Sequence, residues 1–118
     1  MRALVAALLV SMLCACASLG LAPPQTTQQQ IAYGYSGVVA ALNTLAQATS
    51  TGLVSSAEAT QANAAILTVK TTLDQANAAV ASNAPLAVTL LTSATSALAN
   101  ISAYLACKQA KGATPCQL

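Results

Sequence analysis

The sequence predicts an all-α fold, an antiparallel up–down–up three-helix bundle that follows an N-terminal signal segment and a short tether. Three observations predict it. Apolar residues recur at alternating spacings of three and four through most of the chain. Ala, the residue with the best intrinsic helix propensity, fills 29 of 118 positions. Gly, Pro and capping residues then mark where each periodic run stops and the next starts.

The first helix is expected over about 28–51, with Ile31, Tyr35, Val38, Leu42, Leu45 and Thr49 on one stripe. Gly52 stops it. Ser55, three residues before Glu58, forms a capping box that opens the second helix, expected over about 55–82. Its stripe is Ala59, Ala62, Ile66, Val69, Leu73, Ala76 and Val80. The run Ser82-Asn83-Ala84-Pro85 ends it and starts the third helix, with Pro in the first turn. That helix is expected over about 85–110, with Ala87, Leu91, Ala94, Leu98, Ile101 and Leu105 facing inward. Lys108 and Lys111 lie at its C-terminus, where the helix dipole favours cations. Gly112 and Pro115 close the helix. Short loops make neighbouring helices antiparallel. The many Ala residues imply close helix approach, a thin core and modest stability.

Two Cys residues fall in the body. Cys107 and Cys116 are nine apart, across the Gly112–Pro115 turn. In an oxidising compartment they are expected to pair and tie the tail to the third helix.

Composition excludes most chemistry. There is no His, which removes most metal sites and most general bases. The only acids, Glu58 and Asp74, are sixteen helical residues apart, about 24 Å, so they do not act on one substrate. Lys70 and Asp74 are spaced i,i+4 as a surface ion pair. The Ser and Thr hydroxyls have no His to activate them. No Gly-rich phosphate loop is present. A formal charge of +2 leaves no nucleic-acid footprint. No enzyme activity, cofactor, metal or small-molecule substrate is expected.

The one unusual patch is Tyr33-Gly34-Tyr35-Ser36-Gly37. Each Gly weakens a helix by about 1 kcal/mol relative to Ala. Two accounts fit. Gly34 and Gly37 admit close approach of another helix while Tyr35 covers the bundle end. Alternatively, Tyr33 and Tyr35 form a partner surface, with Tyr33 off the core stripe. The weakly charged exterior is consistent with an envelope protein partner or self-association.

The first 22 residues read as a secretory signal. Arg2 is followed by the apolar run from Ala3 to Leu13, then by small residues and Pro23-Pro24. The run is shorter than the roughly 20 residues a spanning helix needs. Its exit, Leu13-Cys14-Ala15-Cys16, resembles the lipobox of bacterial lipoproteins: an aliphatic residue, two small residues, then Cys. The resemblance covers those four residues and the signal before them. It implies cleavage after residue 15, with diacylglycerol on the Cys16 sulfur and an acyl chain on its amine. Cys14 fits less well, since Leu13 directly before it is bulky. Ala17 follows the lipidated position where an Asp would imply inner-membrane retention, so the resemblance implies the outer membrane, facing the periplasm, in a Gram-negative host. Ordinary cleavage before Ser18 is the competing reading, since Ala15-Cys16-Ala17 is an A-x-A site.

Residues 16–27 then read as a lipid-anchored tether, with Pro23-Pro24 and the polar run from Gln25. About ten extended residues reach on the order of 30 Å, enough to lift the body of 28–118 clear of the headgroups. The expected function is therefore a non-enzymatic lipoprotein presenting a helical bundle in the cell envelope. The chain is similar to small lipoproteins of bacteria, phages and prophages in signal, size and helical body alone, and it lacks the Pro-rich body of the phage spanin lipoproteins. The alternatives are a plainly secreted binding protein and a pore or holin-like membrane hairpin. The hairpin draws on the uncharged stretches 37–57 and 85–107, but Ser, Thr and Asn interrupt both.

Overall fold

The computed structural model describes residues 26–110 and 115–118. The signal segment, Cys16 and most of the tether lie outside the described residues. Three helices follow in order: α1, Thr27–Ser50; α2, Ser56–Ala79; and α3, Ala84–Gln109. Each packs on the other two as a three-helix bundle. We call the end holding the α1–α2 turn and the C-terminus of α3 the upper end. The start of α1 and the α2–α3 turn form the lower end.

Local chemistry sets each boundary. Thr26 accepts from the Gln29 amide, and the Gln29 side chain accepts from the Thr26 amide. This reciprocal capping box starts α1 inside a polar run that resembles tether. At the other end, the Leu53 amide donates to the Ala48 carbonyl and the Gly52 amide to that of Thr49. That is the Schellman pattern, and Gly52 takes the positive φ of 73° that it requires. Ser55 and Glu58 form the expected box at the start of α2. The end of α2 comes earlier than the spacing suggests. The Asn83 amide returns to the Ala79 carbonyl, and the Asn83 side chain caps α3 by accepting from Leu86. The tail beyond α3 is held by a Cys107–Cys116 disulfide, whose Cα atoms are 5.8 Å apart.

The buried stripes of α2 and α3 follow their predicted ladders closely. On α1 the buried ladder is Ile31, Gly34, Val38, Ala41, Leu45 and Ala48. Tyr35 and Leu42 are only half-buried, and Thr49 is exposed. Small residues occupy the line of closest approach, and larger ones flank it. Val54, in the α1–α2 turn, and Tyr104 of α3 are also buried. No polar side-chain atom is buried without a partner among the described residues.

Candidate functional site

Charge placement divides the surface. The described charged side chains are Glu58, Lys70 and Asp74 on α2 and Lys108 on α3. Lys108 donates to Glu58, joining the start of α2 to the end of α3, and also lies 5.7 Å from the centre of the Tyr104 ring. The hydrogen bond from Lys108, with further ones from Ser55, holds the Glu58 carboxyl down at about 2. The same contact raises the Lys108 ammonium. Burial raises the Tyr104 phenol, helped by the Glu58 charge.

Lys70 pairs with Asp74 at 2.9 Å on the outside of α2. The Tyr35 hydroxyl donates to the same carboxylate, linking α1 to α2. This bond holds the Asp74 carboxyl below its usual range, ahead of the contribution of Lys70. It pushes the Tyr35 phenol up to about 12, with burial adding to it. Tyr35 is therefore engaged by the fold, whereas Tyr33 stands 41% exposed on the adjacent face.

That face is the seam between the parallel helices α1 and α3. No charged residue lies on α1, and the one on α3 is occupied with Glu58. A mostly apolar groove of about 500 Å³ runs along the seam, with Tyr33 and Val88 near its lower mouth and Gly34 and Leu98 further up. A further hollow of about 290 Å³ continues upward past Gly37 and Leu105. The glycines set its depth. A Cβ on Gly34 would stand 2.8 Å from a Leu73 methyl, and one on Gly37 would stand 2.5 Å from a Leu98 methyl. Both glycines thus sit where side chains of neighbouring helices approach the α1 backbone.

Further exposed apolar surface lies at the start of α3. Leu86 is 46% and Val88 50% exposed in the first turns of α3. Neither belongs to the stripe starting at Ala87, so the spacing already placed them off the core. Val88 lines the seam groove with Tyr33, whereas Leu86 lines a hollow on the α2–α3 side with Gln75, Ala79 and Ser82. On the opposite side, Leu118 of the tail lines a groove between α2 and α3 with Val69 and Ile101.

No set of three His, Cys, Asp or Glu side chains positioned for a metal occurs among the described residues. The acids stand in separate ion pairs at different heights of the bundle. Helix α3 is long and apolar enough to cross a membrane by length and composition, with a mean hydropathy of 1.4. It also supplies Ala87, Leu91, Ala94, Ile101 and Leu105 to the shared core. Compared with known protein families, characterised proteins and solved structures, the chain matches none.

Proposed function

We propose that the protein is a lipid-anchored interaction module of the bacterial envelope. Its acyl chains sit on Cys16, and its bundle works by binding rather than by catalysis. The observation that carries the binding part is the segregation of charge. The described charges are spent within the fold, Glu58–Lys108 joining α2 to α3 and Lys70–Asp74 pairing along α2, which leaves the α1–α3 seam neutral, grooved and edged by Tyr33. The partner is an envelope protein or a second copy of the chain.

The anchoring part rests on Leu13-Cys14-Ala15-Cys16 and the signal before it. The Cys107–Cys116 disulfide is consistent with an oxidising compartment. In a Gram-negative host, Ala17 after the anchor favours the outer membrane over the inner.

The test is the intact mass of the protein isolated from membranes of its host. The expected mass is that of residues 16–118 plus diacylglycerol and an N-acyl chain. A mass of unmodified residues 18–118 would overturn the anchor and leave a secreted binding protein. The hairpin alternative is tested by alkaline carbonate extraction of Cys16→Ser. Release is expected of a bundle, retention of an inserted helix.

A further inference from the structure

We propose that the lower end of the bundle is a tip that rests on the lipid surface, with Leu86 and Val88 in the outer acyl region and Tyr33 at headgroup level. The inference rests on the lipid-anchor reading and adds an orientation to it.

Three features of the molecule meet at that end. The first is where the chain leaves the fold. Helix α1 begins at Thr27 behind its Thr26 cap, so the link to Cys16 emerges from the lower end. Nine residues, 17–25, lie between Cys16 and Thr26. A reach of about 30 Å is the ceiling of such a link, not its resting length. An anchor this close holds the tip at high effective concentration against the bilayer, so a weak attraction is enough to seat it.

The second feature is exposed apolar surface. Leu86 and Val88 are about half-exposed in the first turns of α3. Val88 shares the seam groove with Tyr33, while Leu86 lies on the α2–α3 side of the same end, beside Ala79 and Ser82. Isolated exposed apolar residues such as Val39 and Leu67 occur elsewhere and need no account. Leu86 and Val88 differ because they lie at the end of the bundle from which the link leaves. An aromatic ring with a hydroxyl, one or two turns above aliphatic side chains, matches the order in which a bilayer interface changes from acyl to polar.

The third feature is the absence of charge among the described residues of this end. Asp74 is the closest described charge, five residues before the end of α2, about 8 Å up the helix. It is paired with Lys70 and with Tyr35. Seating the tip therefore desolvates no described ion. Ser82 and Asn83 supply polar groups at the turn, and the Asn83 side chain is already capping α3. The Glu58–Lys108 pair and the disulfide both lie at the opposite end, facing away from the surface. Attraction of this kind depends on apolar contact, so it should be insensitive to salt and to anionic lipid.

The chain contains no Trp, which makes an introduced Trp a clean reporter. The experiment reconstitutes the membrane-derived, lipidated protein in phosphatidylcholine vesicles carrying brominated acyl chains. Three variants are compared: Leu86→Trp at the lower end, Thr95→Trp midway along α3, and Thr60→Trp near the upper end. The expected result is at least several-fold stronger quenching for Leu86→Trp than for the other two, unchanged between low and high salt. Adding Val88→Glu to Leu86→Trp should remove most of that quenching while the helical circular dichroism stays the same. Equal quenching at the upper and lower positions would overturn the proposal, as would none at any position. Strong quenching at Thr95→Trp would overturn it in favour of insertion of α3. Intact mass of the same sample reports the anchor separately. A lipidated protein without position-dependent quenching defeats the tip alone, whereas an unlipidated one defeats the anchor reading on which the tip depends.

Discussion

The two ends of the bundle are built by different physics. At the upper end the chain is fastened by directional bonds. The Schellman turn at Gly52, the Ser55–Glu58 box, the Glu58–Lys108 pair and the Cys107–Cys116 disulfide all lie there. Val54 is buried beneath them. At the lower end the helices are capped by Thr26 and Asn83, but no described ion pair or disulfide crosses between them below Tyr35–Asp74. Contact there depends on close packing around Ile31, Gly34 and Leu73. The difference teaches where each end has room to act. The upper end spends its polar groups on itself, while the lower end leaves apolar side chains uncovered.

The sharpest way to break this contrast is to remove the disulfide. Cys107→Ser with Cys116→Ser should cost about 2–3 kcal/mol, the value expected for a short closed loop. Urea denaturation followed by circular dichroism measures it, and reduction of the wild-type protein should match it. Amide exchange should quicken in the last turns of α3 and remain slow around Ala87 and Leu91. Uniform quickening would mean that the two ends open together and that the contrast has no energetic content.

A test of the lower half compares two glycines three residues apart. Leu73 is 1% exposed, so the methyl that a Cβ on Gly34 would meet has nowhere to turn. Overpacking of about 1–3 kcal/mol there exceeds the ~1 kcal/mol that Ala gains over Gly in a helix. Gly34→Ala should therefore destabilise by about 1 kcal/mol net. Leu98 is only half-buried and borders the open seam, so it can swing away from a Cβ on Gly37. Gly37→Ala should be neutral or stabilising by up to ~1 kcal/mol. Equal losses at both positions would show that the seam is as rigid as the core.

Most of the fold was legible in the sequence because a period of three and four, repeated over three long segments, has one structural solution. The expected helices 28–51, 55–82 and 85–110 lie close to those observed. The phase of α1 was less legible. Ranking positions by size favours Tyr35, Leu42 and Thr49, yet tight packing places Gly34, Ala41 and Ala48 nearest the neighbouring helices. The start of α1 was obscured because Gln28, Gln29 and Gln30 are as polar as a linker, and only the Thr26–Gln29 pairing reveals a cap. Of the candidate site, Tyr33 could be read from its position off the stripe. Val88 could not be joined to it, because it is more than fifty residues away in the chain and lines the same groove only through the up–down–up topology.

The smallest effect is the response to pH, and it separates the two halves by residue. Glu58 titrates at about 2 when folded, against 4.5 as its ordinary value. Its contribution to stability is therefore complete above about pH 4.5 and lost as pH falls toward 2. Asp74, also held below its usual range, adds a second loss on acidification. Both carboxylates are well solvated, so the loss in urea midpoint should be shallow. Glu58→Gln should remove the upper-end share and leave the share of Asp74. On the alkaline side Tyr35 titrates at about 12 rather than 10, so its contribution persists up to about pH 10 and disappears as pH climbs to 12. Lys108 and Tyr104, both raised, weaken the upper end over a similar range. Tyr35→Phe should flatten only the part belonging to the α1–α2 contact. If Glu58→Gln leaves the acid limb unchanged, Lys108 is not bound to Glu58 in solution, and the upper end then relies on its disulfide and caps alone.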